Sequence, residues 1–138
     1  TKTAVAIKKF VEKMIFNYLI GNNDAHGKNF SILHYDDDTT AFAPAYDILC
    51  TSVYPELSQK MAMKIGGYYE SDKIYPRHFE RMAKDIGISY TQIKKILKNQ
   101  CEILPDIVKE VSETFENSVG EKILQVVSEN CTRNLKNF

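Results

Sequence analysis

A chain of 138 residues, 43% hydrophobic and 26% charged, is long enough for one folded domain that buries roughly two thirds of its unfolded surface. Eighteen basic residues offset eighteen acidic ones, so whole-chain charge gives no attraction to nucleic acid or to an anionic membrane. No apolar run approaches the roughly 18 residues of a membrane span. Cys50, Cys101 and Cys131 match no metal-ligand spacing, which points to reduced thiols in an intracellular, cytoplasmic protein. The chain starts at Thr1 rather than Met, so the absence of a targeting signal says little about a longer parent.

The first helix is expected from about Thr3 to Ile20. Ile7, Phe10, Val11, Met14 and Tyr18 recur at helical spacing, and Lys8, Lys9, Glu12 and Lys13 fall on the other side. Gly21 ends it, and Asn22 and Asn23 suit a tight loop. Phe30–His34 reads as a short strand, Asp36–Thr40 as a solvated polar turn without the Gly and distal Glu of a calcium loop, and Ala41–Ala43 as the returning strand of a small hairpin. Residues Cys50–Lys60 read as a surface segment, and Met61–Ile65 as one more strand closed by Gly66–Gly67. The remainder reads as helical. Pro76 precedes an apolar face of Phe79, Met82, Ala83 and Ile86, stopped at Gly87. Ser89 and Gln92 form a capping box, with Ile88 and Ile93 as its hydrophobic staple. Pro105 is expected to open a third helix carrying Ile107, Val108, Val111 and Phe115. Ser118 and Glu121 offer another capping box before Ile123, Leu124 and Val127. The fold class is therefore mainly α with a small β-hairpin.

The chemistry-bearing residues cluster around that hairpin. Asp24 stands five residues before Asn29 in the loop after the first helix, and Asp47 follows the hairpin within AYDIL. Phosphoryl-transfer enzymes of the protein-kinase type use an Asp and an Asn at that interval, the acid taking or orienting the proton of the attacking hydroxyl and the Asn holding magnesium. Hard Mg²⁺ prefers oxygen ligands, so the Asn29 amide and the Asp47 carboxylate suit it, and Asp24 is left for the base. Lys28 can neutralise charge on the transferring group, and His26 can orient the loop or move a proton. Each residue alone has a plain reading: Asp24 as a turn residue, Asp47 as a cap, His26 as packing, Lys28 as solvated. The joint order of acid, Asn, strand and acid favours catalysis.

Asn22–Ser31, reading NNDAHGKNFS, together with Tyr46-Asp47-Ile48-Leu49, resembles the C-terminal lobe of HipA-type serine/threonine kinases, the toxins of bacterial toxin–antitoxin pairs. The similarity runs from the first helix to the helical region around Phe79–Gly87. The resemblance implies a protein-kinase-like C-terminal lobe filling residues 1–138, with Asp24 as catalytic base and Asn29 and Asp47 as ligands of Mg²⁺ beside ATP. It also implies protein substrates, aminoacyl-tRNA synthetases among them, and restraint by a small DNA-binding, HipB-like antitoxin. Tyr46-Asp47-Ile48 replaces the Asp-Phe-Gly of ordinary protein kinases, and Asn22-Asn23 replaces their His-Arg. A Gly-rich phosphate loop and a strand lysine are not found before the first helix, so the nucleotide-binding N-terminal lobe is expected from elsewhere, in cis or in trans. Without it, weak ATP binding and poor phosphorylation are expected.

A rival reading lies in Phe79–Lys98. Ala83, Gly87 and Ile93 have helix-turn-helix spacing, with Gln92, Lys94, Lys95 and Lys98 available to DNA, although a packed helical hairpin in a neutral chain is the stronger reading and direct DNA contact is not expected. A metal-dependent hydrolase using Asp24, His26 and Asp47, an aminoglycoside-type kinase and a non-catalytic interaction lobe complete the alternatives.

Overall fold

The computed structural model describes residues 2–115 and 118–138. Helix α1 (Lys2–Leu19) presents Val11, Met14, Ile15, Tyr18 and Leu19 to the core, with Ile7 and Phe10 packed at its edge. On its outer face Lys8 and Glu12 pair at 3.5 Å, exposed and one helical turn apart. Lys13 departs from the expected solvated side: its ammonium donates to the Ala43 carbonyl and lies 5.1 Å from the centre of the Phe42 ring. Gly21 then reverses the chain at φ +73°, and a Cβ there would stand 2.7 Å from the Ser52 hydroxyl oxygen. Only glycine admits that approach.

Strands β1 (Ile32–His34) and β2 (Thr40–Phe42) pair antiparallel, with Ile32 opposite Phe42 and His34 opposite Thr40. Their turn is held by the Asp37 carboxylate, which accepts from the Thr39 amide and hydroxyl at 3.0 and 2.6 Å; these bonds keep its carboxyl below the usual carboxylate range. β3 (Lys60–Ile65) has a partner that sequence reading missed, β4 (Tyr68–Glu70). There are thus two small hairpins among the described residues. Three residues are too few to show alternation, and β4 exists because the Gly66–Gly67 turn packs on α2. A Cβ on Gly66 would stand 2.3 Å from the His78 carbonyl oxygen.

Helices α2 (Pro76–Ile86), α3 (Tyr90–Glu113) and α4 (Ser118–Asn137) close the core. Gly87 ends α2, and the Ser89 hydroxyl accepts from the Gln92 amide at 3.2 Å, as expected of a cap. The separate helix expected from Pro105 is not formed: α3 runs unbroken through it. Proline inside a helix costs about 3 kcal/mol, and the burial of Cys101 and Leu104 beside it offsets that cost; Cys131 of α4 is buried as well. The capping box expected at Ser118 and Glu121 falls at the start of α4, next to residues 116–117, which lie outside the described residues.

Phe79 is fully buried, with the Tyr18 ring edge-on at 5.7 Å. Phe79→Ala is expected to cost about 3–5 kcal/mol, read as a lower urea midpoint at unchanged slope. His78, also buried, accepts the Tyr75 amide on Nδ1 at 2.9 Å. Burial, then the Arg77 and Arg81 charges, lower its pKa, so the folded state holds it neutral where the unfolded chain protonates. That stability is present above about pH 6.5 and is lost as pH falls below it. Urea midpoints for His78→Gln should fall less between about pH 7.5 and 5.5 than those of the parent.

Candidate active site

Past Gly21 the chain enters a loop whose two asparagines are buried and whose acid is exposed. Asn23 fixes one side. Its amide N–H donates to Thr51 Oγ1 at 2.8 Å, its side chain donates to Ser52 Oγ at 3.1 Å, and its carbonyl accepts from the Ala62 amide of β3 at 2.8 Å. Thr51 is buried in a 3-10 turn (Thr51–Val53), so the expected surface segment 50–60 is in part a buried clamp. Sequence reading missed it because a lone Thr among polar residues carries no periodicity.

Asn22 fixes the other side. Its Nδ2 donates to Asn17 Oδ1 at 2.8 Å and to the Asp47 carbonyl at 3.2 Å, and its Oδ1 accepts the Asp24 amide at 3.3 Å. The Asp24 side chain is thereby presented to solvent on a turn whose backbone is held from beneath. His26 is half-buried; its backbone N–H donates to Asn29 Oδ1 at 3.0 Å, and its ring Nδ1 is buried without a hydrogen-bond partner. A 3-10 turn (Gly27–Asn29) carries Lys28 outward and turns Asn29 towards the second loop.

There Asn29 Nδ2 donates to Asp47 Oδ2 at 2.7 Å, across 18 residues of sequence. The Tyr46 hydroxyl spends its proton on the Lys28 carbonyl at 2.9 Å, so Ser31 Oγ, 2.6 Å away, is the donor to Tyr46. Asp47 has φ +56°, a left-handed conformation that costs a non-glycine residue about 1–3 kcal/mol and persists where surrounding contacts enforce it. The structure thus joins Asn29 to Asp47 directly and Asp24 to Asp47 through Asn22. Lys28 touches the group only through its backbone. Tyr46, Ile48 and Leu49 flank Asp47 exposed, as are Tyr54 and Leu57 further on. The lysines of the alternative DNA reading, Lys94, Lys95 and Lys98, lie exposed on α3 while Ile93, Ile96 and Leu97 fill the core.

The oxygen donors of Asp47 and Asn29 are of the kind a hard divalent ion takes. Among the described residues no three His, Cys, Asp or Glu side chains cluster to hold a metal. An ion beside Asp47 would rest on its carboxylate, the Asn29 amide oxygen and oxygens from phosphate or water, the ligand balance Mg²⁺ prefers. Asn29 now offers Asp47 its NH₂, so ligation requires that amide to turn its oxygen inward and release the His26 N–H.

A family model described as the HipA-like C-terminal domain matches residues 1–110. The chain is 38% identical over 112 residues to the putative kinase Y4mE of Sinorhizobium fredii, covering 81% of this chain and 26% of that protein. It is 27% identical over 111 residues to the serine/threonine-protein kinase toxin HipA of Shewanella oneidensis, covering 80% of this chain and 25% of the toxin. A solved structure from Shewanella oneidensis MR-1, of the toxin–antitoxin system HipA and HipB with operator DNA, superposes with a TM-score of 0.86 at 23% identity, covering 94% of this chain and 32% of that one. The fold is therefore that of the HipA C-terminal region, and the chain spans about a quarter of the length of these curated relatives.

Proposed function

The chain belongs to the HipA-like C-terminal domain family, and from that membership we propose that it is the catalytic half of a serine/threonine protein kinase toxin. The observation that carries the proposal is the Asn29–Asp47 contact, which brings the Asn of the Asp24–Asn29 spacing onto the acid of the second loop. Asp24, exposed on the turn that Asn22 ties to the Asp47 loop, accepts the proton of a Ser or Thr hydroxyl as its oxygen attacks the γ-phosphorus of ATP; the bond to the β-phosphate oxygen breaks and ADP departs. Asn29 and Asp47 would hold Mg²⁺, which supplies charge neutralisation on the phosphate oxygens. Lys28, exposed on the same turn, opposes the remaining negative charge. His26 holds the loop through its backbone N–H to Asn29 Oδ1 until an ion claims that oxygen, and its half-exposed ring can orient the loop or move a proton.

A nucleotide-binding lobe completes the site, in cis or in trans, and the exposed apolar side chains of Tyr46, Ile48 and Leu49 beside Asp47 are available to receive it. We place the protein in the cytoplasm, where ATP is available, and assign it a HipB-like antitoxin partner. No described helix is long and apolar enough to cross a membrane. The test is ATP turnover with Mg²⁺ and an acceptor protein, for this chain alone and joined to an N-terminal lobe. Turnover is expected to appear on joining; vigorous turnover by the chain alone, abolished by Asp24→Ala, would contradict the half-site.

A further inference from the structure

We infer that Asn22 is the positioning residue that couples the Asp24 turn to the Asp47 loop, so that the base and the ion-holding acid are set in place by one buried amide. The inference rests on the proposed role of Asp47 as an ion ligand. It concerns a residue that touches neither substrate nor ion.

Asn22 is 5% exposed, and both protons of its NH₂ are spent, one on Asn17 Oδ1 and one on the Asp47 carbonyl. Its oxygen takes the Asp24 amide. Asn17 is itself fixed to α1, where its Nδ2 donates to the Lys13 carbonyl at 3.0 Å. The Lys13 ammonium reaches on to Ala43, just after β2 and before Asp47. Both loops are therefore tied to the same two turns of α1, and Asn22 is where the ties meet. No other residue type does this as well in that space. Aspartate offers acceptors only, which would face the acceptors of Asn17 and Asp47; leucine or alanine would leave the buried Asn17 oxygen, the Asp47 carbonyl and the Asp24 amide without this partner.

The consequence falls on Asp47. Its left-handed backbone is strained, and the Asn22 bond to its carbonyl is a contact that holds it. Released, Asp47 relaxes towards ordinary backbone angles and its carboxylate leaves Asn29. The Asp24 turn loosens at the same time, because it shares the same amide. Partners that orient a metal-ligating side chain usually contribute about 10- to 100-fold to metal affinity.

Mn²⁺ binding to the 138-residue chain, followed by electron paramagnetic resonance of the free ion, tests this. Asn22→Asp and Asn22→Ala are compared with Asp47→Asn and with Asn130→Ala. The last removes an equally buried amide, which donates to the Leu19 carbonyl far from Asp47 in sequence, and so reports the effect of lost stability alone. Expected is loss of binding in Asp47→Asn, affinity lowered about 10- to 100-fold in both Asn22 variants, and no comparable change in Asn130→Ala, with near-ultraviolet circular dichroism reporting intact packing. If Asp47→Asn abolishes binding while the Asn22 variants bind like the parent, or like Asn130→Ala, the coupling is wrong and the ion site stands. If the parent binds no Mn²⁺, or Asp47→Asn binds as well as the parent, the ion site itself is wrong and the inference falls with it.

Discussion

Asp24→Asn, in protein joined to a nucleotide-binding lobe, should lower phosphoryl transfer by about 10²- to 10⁴-fold, the usual contribution of a positioned general base. Asparagine fills the same volume but accepts no proton at neutral pH. The Asp24 side chain is exposed and makes no hydrogen bond within the described chain, so the variant should keep the fold and its urea midpoint. Its backbone amide still reaches Asn22 Oδ1, because that bond does not involve the side chain. The diagnostic combination is therefore lost rate with intact stability and intact Mn²⁺ binding. A loss of rate that tracks a loss of fold would place Asp24 in the structure rather than in the chemistry.

Asp47→Asn should be as damaging for a different reason. Among the described residues its carboxylate is the anionic oxygen donor in contact with Asn29, and an ion between them would lose that charge. Metal-borne neutralisation of phosphate oxygens is worth several kcal/mol of transition-state stabilisation, on the order of 10²- to 10³-fold in rate at about 1.4 kcal/mol per decade. Unlike Asp24→Asn, this variant should lose Mn²⁺ binding together with rate. Raising Mg²⁺ should restore part of the rate in Asp47→Asn and none of it in Asp24→Asn. If the two variants respond alike, the separate assignment of base and ion ligand is wrong.

The order of Asp24, Asn29 and Asp47 could be read because chemistry concentrates rare combinations in short stretches. An Asp five residues before an Asn, a hairpin and a second Asp are ordered along the chain, and the fold brings Asn29 onto Asp47. Helices α1 and α2 were legible from the 3.6-residue recurrence of Val11, Met14 and Tyr18 and of Phe79, Met82 and Ala83. Pro105 misled because local propensity was outweighed by burial of Cys101 and Leu104 beside α4, a contact between residues distant in sequence. β4 was hidden because its three residues depend on the close approach of Gly66 to His78. The hub at Asn22 was hidden most completely. Two adjacent asparagines after a glycine look like any turn, and the sign of their burial, a polar Asn17 on the core-facing side of α1, gains meaning only when Asp47 folds over it.

Whether these residues form half of a protein kinase, rather than a metal-dependent hydrolase or an inert lobe, is decided by where the γ-phosphoryl group goes. With labelled ATP, Mg²⁺, the joined N-terminal lobe and an acceptor protein, the label should appear on a Ser or Thr of a protein, identified by mass spectrometry, and should vanish with Asp24→Asn. Label recovered only as inorganic phosphate, or phosphoprotein formed equally by Asp24→Asn, would contradict the account.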